Sequence, residues 1–419
     1  MLILASVAVA LVVAILYLNL GAGERRVSHE IEHLYPVDHP QFFRSMGMLL
    51  GPGIQRGNRV DALMNGDEIF PAMLEAIRSA RKTVLFETFI YWSGEIGDQF
   101  AQALSDRARA GLKVHVLLDW VGSIKVDRGL LQQMKDAGVD VHMFHPLRWY
   151  NLGRINNRTH RKLLIVDGCI GFTGGVGIAT PWTGHAQDAD HWRDCHFRVE
   201  GPVVAQMQSV MLSNWSKTTG YILHGPDYFP ELEERGTQLA QMFHSSPSGG
   251  SESMQLMYLI AITAAVKSID LSSAYFVPDE MARVALVAAL QRGVRVRVIT
   301  PGRHTDQPTV RHASRALWGD LLRAGAEIHV YQPTMYHCKL LVVDELLVSV
   351  GSTNFDPRSF HLNDEANLNV YDARFAQELT RVFEQDLQRC KRVTLEDWEG
   401  RPVLEKARER AAALLAPFL

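Results

Sequence analysis

The chain has 419 residues, of which 47% are hydrophobic and 21% charged, and a formal net charge of −3. This composition excludes a collagen-like, low-complexity or disordered chain, and the length suits two or three domains. The near-neutral charge argues against a dedicated nucleic-acid binder, which carries a basic excess. Cys169, Cys195, Cys338 and Cys390 are far apart, with no Cys-x-x-Cys pair, so neither a zinc ribbon nor a disulfide scaffold is indicated.

The chain opens on a membrane signal. Met1 to Leu20 is apolar except for Ser6, Asn19 and the Tyr17 hydroxyl. About 20 such residues span the ~30 Å hydrocarbon core of a bilayer. Residues 1–22 are therefore predicted as a transmembrane anchor. A cleaved signal peptide would need a basic segment ahead of the apolar run, and none exists, although Gly21-Ala22-Gly23 resembles a cleavage site. Arg25 and Arg26 follow the run and place the body on the cytoplasmic side by the positive-inside rule.

The body is a duplication. Residues 79–92, 109–119, 134–146 and 160–175 match residues 264–277, 291–301, 321–333 and 337–352, each at an offset of roughly 180. In each copy, short β-branched runs alternate with helical segments. That pattern predicts βαβ units and a largely parallel sheet covered on both faces. Two similar domains, 40–218 and 236–395, are expected to pack about a pseudo-twofold axis with equivalent residues at a shared cleft. The link between them is placed at about 201–235, and the Ser/Gly-rich stretch 245–253 is read as a loop. In the tail, 396–419, Leu404, Ala411, Leu414, Leu415 and Phe418 recur at helical spacing among charged residues. This is either an interfacial helix or a terminal helix docked on the body.

The chemistry is expected in the fourth matched segment. Each copy carries His-x-Lys, four residues, then Asp: His160, Lys162 and Asp167, then His337, Lys339 and Asp344. One such match arises by chance in only a few per cent of chains this long, and two at equivalent repeat positions make chance implausible. Strand alternation puts His and Lys on one face. A neutral imidazole beside an ammonium suits attack on a phosphate, with the lysine stabilising the oxygen charge. Two such units supply a nucleophile and a general acid, whose pKa values should be split across neutrality.

This doubled motif closely resembles the signature of the phospholipase D superfamily, and the resemblance runs from about Gly57 to the C-terminus. The implied fold is α/β: two tandem α-β-α sandwich domains behind the N-terminal anchor. Gly351-Ser352-Thr353-Asn354 stands at the family's place after the second Asp, whereas Gly174-Gly175-Val176-Gly177 departs from it, with Gly177 where Asn is usual. Segments such as "LLDWVGS", "AYFVPD" and "DPRSFHLNDEANLNVYD" resemble the bacterial cardiolipin synthase branch. The resemblance implies resolution of two phosphatidylglycerol molecules into cardiolipin and glycerol through a phosphohistidine, without metal or cofactor. His160 is taken as nucleophile and His337 as general acid, although the duplicated symmetry leaves the reverse assignment open, with Asn354 at phosphate and Ser352 assisting with phosphate or water. The resemblance also implies Asp194 and Glu365 as the acids that orient the imidazoles, by the logic of a catalytic triad. Asp167 and Asp344 complete the catalytic motifs but read as structural anchors.

The expected partners are phospholipids and a bacterial inner membrane, with no nucleic acid, and no oligomer is needed because one chain holds both half-sites. A phospholipase D that uses water as acceptor is the alternative, and a nuclease of the same superfamily a more distant one. Arg154, Arg158 and Arg161 either attract lipid phosphate or form a solvated loop. His142 and His145 lack the companion ligands a metal would need. No Walker-type loop is present, which argues against use of ATP.

Overall fold

The computed structural model describes residues 30–146, 156–247 and 253–418. The expected anchor, Arg154 and residues 248–252 of the expected loop lie outside them. Among the described residues, no helix is long and apolar enough to cross a membrane.

The first half supplies β1 (Gln55–Met64), β2 (Thr83–Thr88), β3 (Lys113–Asp119), β4 (Asp140–Phe144), β5 (Arg158–Thr159), β6 (Lys162–Val166), β7 (Ile170–Gly174) and β8 (Cys195–Glu200). The second supplies β9 (Gln238–Ser245), β10 (Ser268–Ser272), β11 (Arg295–Pro301), β12 (Glu327–Tyr331), β13 (Leu340–Val343), β14 (Leu347–Gly351), β15 (Asn363–Tyr371) and β16 (Cys390–Val393). They form one sheet in the order β16-β12-β11-β10-β13-β14-β15-β9-β1-β8-β7-β6-β2-β3-β4, with β5 beside β15. Apart from β16 and β5, the order reads the same outward from the β9–β1 junction in either direction. That junction is antiparallel, as a twofold relation requires.

The expectation of a largely parallel sheet needs correction. Within each half only β2, β3 and β4, and their counterparts β10, β11 and β12, run parallel, and the short β5 joins β15 of the other half in parallel. The other ladders of each half are antiparallel. The cause is local: β6 and β7 are joined by three residues, as are β13 and β14, and so short a connection can only be a hairpin. Burial on both faces made these strands continuously apolar, which hid the difference in the sequence. Along β3, Val114, Val116 and Leu118 enter one core and Leu117 the other, the alternation a strand imposes.

Helices cover both sides. Residues 65–79, 95–109 and 128–136 pack Phe70, Phe100 and Met134 against Phe86, Val116 and Leu164. Residues 253–264 and 280–291 do the same in the second half, with Met257 and Leu286 against Ile269, Val296 and Leu341. A third core runs through both halves. Helices 204–219 and 373–387 bury Met207, Trp215, Leu379 and Phe383 there, against Leu163, Phe197, Val348 and Leu368. The second of these helices is capped by Asp372, which accepts from the Phe375 amide at 2.8 Å.

The expected linker also needs correction, because residues 204–219 form a 16-residue helix in that shared core. Its apolar residues were too evenly spread to mark one clear face. The tail folds into helices 395–399 and 403–413. The latter docks through its charged face: buried Glu409 meets Arg401 at 2.6 Å and Arg315 at 3.3 Å. Val403, Leu404 and Leu414 point outward.

Candidate active site

The two histidine motifs converge on one cleft of about 540 Å³ between the halves. The local fold explains how. The segment just before His160 forms β5, which pairs with the start of β15, and the His160 amide donates to the Asp364 carbonyl at 2.9 Å. In the other half, Arg193 bridges to Tyr336, and the His337 amide donates to the Arg193 carbonyl at 2.7 Å. Each histidine is thereby laid beside the acid of the opposite half. His160 Nδ1 lies 3.0 Å from both oxygens of Glu365, and His337 Nδ1 lies 2.7 Å from Asp194 Oδ2. With Nδ1 engaged, Nε2 is the nitrogen each ring offers to the cleft.

The acids are buttressed differently. Glu365 accepts from Ser352 Oγ at 2.5 Å and from Asn363 Nδ2 at 3.3 Å. Asp194 accepts from the Trp182 indole at 2.9 Å and the Cys195 amide at 2.8 Å. The departure at Gly177 now has a physical reason. A Cβ there would lie 2.9 Å from Ile90 Cβ and 3.2 Å from the Trp182 ring. The space that an asparagine would need is filled by the indole that bonds Asp194. Gly175, opposite Ser352 in the repeat, is equally constrained, since its Cβ would meet Asp194 at 2.3 Å.

Both lysines are buried and donate to the carbonyl of their own histidine at 2.6 Å, and Lys339 Nζ also lies 3.2 Å from His337 Nε2. Burial lowers the Lys162 ammonium to about 7 and shifts Lys339 in the same direction. Burial also depresses both imidazoles, His160 to about 4 and His337 to about 3, although Glu365 and Asp194 pull the other way. Burial works against both carboxylates, yet their histidine and lysine neighbours hold them low and ionised. The expected split of the two histidines across neutrality is thus absent from the free site. Burial shifts both in the same direction, and a phosphodiester anion in the cleft would act to raise them.

The remaining sequence expectations distribute unevenly. Asn354 lines the cleft, and among the described residues its Oδ1 accepts no hydrogen bond. Ser352 does not reach the cleft; it is fully buried and acts on Glu365. Asp167 and Asp344 sit at the far end of their strands, in hairpin turns with positive φ. Asp167 accepts from the amides of Arg81, Lys82 and Thr83 at 2.7–3.1 Å. Asp344 accepts from those of Val266, Lys267 and Ser268 at 2.7–2.9 Å. These two acids tie the hairpin to the neighbouring strand and touch no reacting group. Arg161 is spent on the carbonyls of Val210, Ser245 and Glu365, whereas Arg158 lines the cleft. The His142 imidazole pairs with Asp140.

Sequence reasoning missed the aromatic shell. The ring of Phe89 lies 5.2 Å from that of His160, and Trp182 and Trp192 lie 5.3 and 5.4 Å from that of His337. Position in the chain offered no signal for these rings, because Phe89 and Trp192 are brought in by loops and Trp182 by a single 3-10 turn. The cysteines also hold a surprise, since Cys195 Sγ, Cys338 Sγ and an Asp194 oxygen all lie within 4.8 Å of one another. The trio fits a metal poorly, because Asp194 is committed to His337, Trp182 and Cys195, and burial holds the Cys338 thiol protonated.

Known proteins share this architecture. The family described as "Cardiolipin synthase, PLD-like domain" matches residues 73–206 and 258–387. A cardiolipin synthase of Geobacillus kaustophilus is 35% identical over 87% of this chain and 73% of its own length. A cardiolipin synthase A of Pseudomonas putida is 35% identical over 86% of this chain and 75% of its own. The crystal structure of a phosphatidylserine synthase from Haemophilus influenzae superposes with a TM-score of 0.66 at 17% identity, covering 86% of this chain and 95% of that one. Doubled motif, shared cleft, family match and relatives agree: the chain belongs to the cardiolipin synthase family of phospholipase D-like proteins.

Proposed function

We propose that this chain is a phosphatidyltransferase that makes cardiolipin and glycerol from two phosphatidylglycerol molecules. One observation carries the reading: two imidazoles share one cleft, each held through Nδ1 by a buried carboxylate of the opposite half. That arrangement fits one nucleophile and one proton carrier. In the first step His160 Nε2 forms a bond to phosphorus, and the bond to the glycerol oxygen breaks. That oxygen takes the proton from His337 Nε2. In the second, a hydroxyl of another phosphatidylglycerol returns a proton to His337 as its oxygen displaces His160. Lys162, Lys339 and Asn354 stabilise the phosphoryl oxygens. Ser352 and Trp182 position the two orienting acids.

The enzyme works at a membrane in this reading. The apolar residues 1–20 support it. So do Val121 and Ile124, which stand exposed at the cleft, and the outward leucines of the docked tail. The anchor at 1–22 would place the body on the cytoplasmic face of a bacterial inner membrane.

The test is incubation of purified full-length protein with phosphatidylglycerol in mixed micelles, followed by lipid analysis. Cardiolipin with an equal amount of free glycerol is expected. Phosphatidic acid alone would make water the acceptor and overturn the transferase reading.

A further inference from the structure

The two halves line the cleft with different side chains, the second bringing Asp356 and Arg358 besides Tyr275 and Asp306. The first carries Lys125, whose Nζ lies 3.9 Å from the centre of the Trp92 ring, together with Arg158. These cations suit the phosphate of an anionic lipid. In the second, the Tyr275 hydroxyl donates to Asp306 Oδ2 at 2.6 Å. The mechanism above uses neither residue. Asp306 follows β11 in the second half, and the corresponding loop after β3 carries Val121, Ile124 and Lys125 instead. The difference is therefore an asymmetry built into the duplication.

A carboxylate on the wall of a site for phosphodiesters repels the phosphate and must face another part of the substrate. An ionised carboxylate only accepts hydrogen bonds, so its partner has to be a donor. Tyr275 follows β10, whose last residue Ser272 pairs with Leu340 next to Lys339, and Tyr275, Asp306 and His337 line the same cleft; burial raises the Asp306 carboxyl while Lys339 pulls it down. That places the pair on the His337 side, where the alcohol departs and where, by microscopic reversibility, the next alcohol enters. In phosphatidylglycerol the secondary hydroxyl of the head group reacts in neither step, so it is free to be held in both.

We propose that Tyr275 and Asp306 form an alcohol subsite, in which Asp306 accepts a hydrogen bond from the secondary hydroxyl of the glycerol head group. This rests on the transferase reading and adds its head-group selectivity. The subsite serves twice per turnover, once for the leaving glycerol and once for the attacking lipid. A hydrogen bond to a charged acceptor corresponds to a preference of about 10- to 100-fold over a head group that lacks the hydroxyl.

The experiment gives phosphatidylglycerol and phosphatidylpropanol as competing phosphatidyl donors in one mixed micelle, to the wild type, Asp306→Asn and Tyr275→Phe. Thermal melts establish that each variant is folded. The wild type should prefer phosphatidylglycerol by at least tenfold, Asp306→Asn should lose most of that preference, and Tyr275→Phe a smaller part. A wild type without preference overturns the proposal. So does an Asp306→Asn protein with the wild-type preference, whether its two rates hold or fall together. If the wild type converts phosphatidylglycerol only to phosphatidic acid, the transferase reading falls, and the donor preference still decides the alcohol subsite.

Discussion

The two halves of this chain share a strand order, a His-Lys motif and a hairpin anchored by an aspartate, yet they build unlike surroundings for their histidines. The acid that serves His160 is a glutamate held by a serine hydroxyl and an asparagine amide. The acid that serves His337 is the shorter aspartate, held by an indole and a backbone amide. The first half gives up a side chain at Gly177 so that Trp182 can reach Asp194, and the second keeps Asn354 open to the cleft. Duplication supplied the symmetric frame. In the proposed mechanism one histidine attacks and the other carries the proton, and the halves differ where they face the cleft. The exchange of acids has a further consequence, because neither half has a complete site without the other.

The largest effect should come from the histidines. His160→Ala and His337→Ala should each lower turnover of phosphatidylglycerol by on the order of 10⁴-fold, measured as cardiolipin formed. The comparison sharpens with a p-nitrophenyl phosphodiester, whose leaving group needs no proton. His337→Ala should recover much of its rate there and His160→Ala should not. Equal recovery by both would erase the assigned roles.

Next come the exchanged acids. Glu365→Gln and Asp194→Asn should each cost roughly 10²- to 10³-fold in kcat. The sign of the pH effect follows from charge. Each carboxylate raises the pKa of the imidazole it holds, so its removal lowers that pKa. A protonated His337 in the substrate complex is then lost at lower pH, and the alkaline limb of kcat in Asp194→Asn should move to lower pH. A limb that stays in place, or moves up, would count against His337 as the acid.

The motif aspartates test structure against chemistry. Asp167→Ala and Asp344→Ala should each remove about 2 kcal/mol of stability, because three backbone amides lose a charged acceptor. The melting temperature should drop by several degrees, while the folded fraction keeps its cleft. The smallest effect expected is that of Ser352→Ala, which frees one oxygen of Glu365 and should slow turnover by about tenfold or less, without touching phosphate binding in a KM measurement.

Much of the site was legible beforehand. His160, Lys162, His337 and Lys339 stood out because the same short pattern occurs at equivalent points of a repeat, and short patterns report side chains on one strand. Asp194 and Glu365 could be named as orienting acids only through the family resemblance, which implies an acid after each motif. Their exchange between halves could not, because it depends on β5 pairing with β15 and on Arg193 meeting Tyr336. Ser352 was expected at phosphate and instead donates to Glu365, a contact that no spacing encodes. The parallel sheet was overestimated because strands buried on both faces look alike whichever way they run.

The sequence by itself determined the duplication, the alternation of strands and helices, the paired His-Lys chemistry and the apolar start of the chain. All are local patterns or repeats of them, and local patterns survive in one dimension. Only the tertiary structure decided which acid serves which histidine, why position 177 must be glycine, and which residues line the cleft. The pairing of acid with histidine depends on contacts between residues more than a hundred positions apart, which form only when the two halves join along β1 and β9, and the other two outcomes depend on loops that the fold brings together.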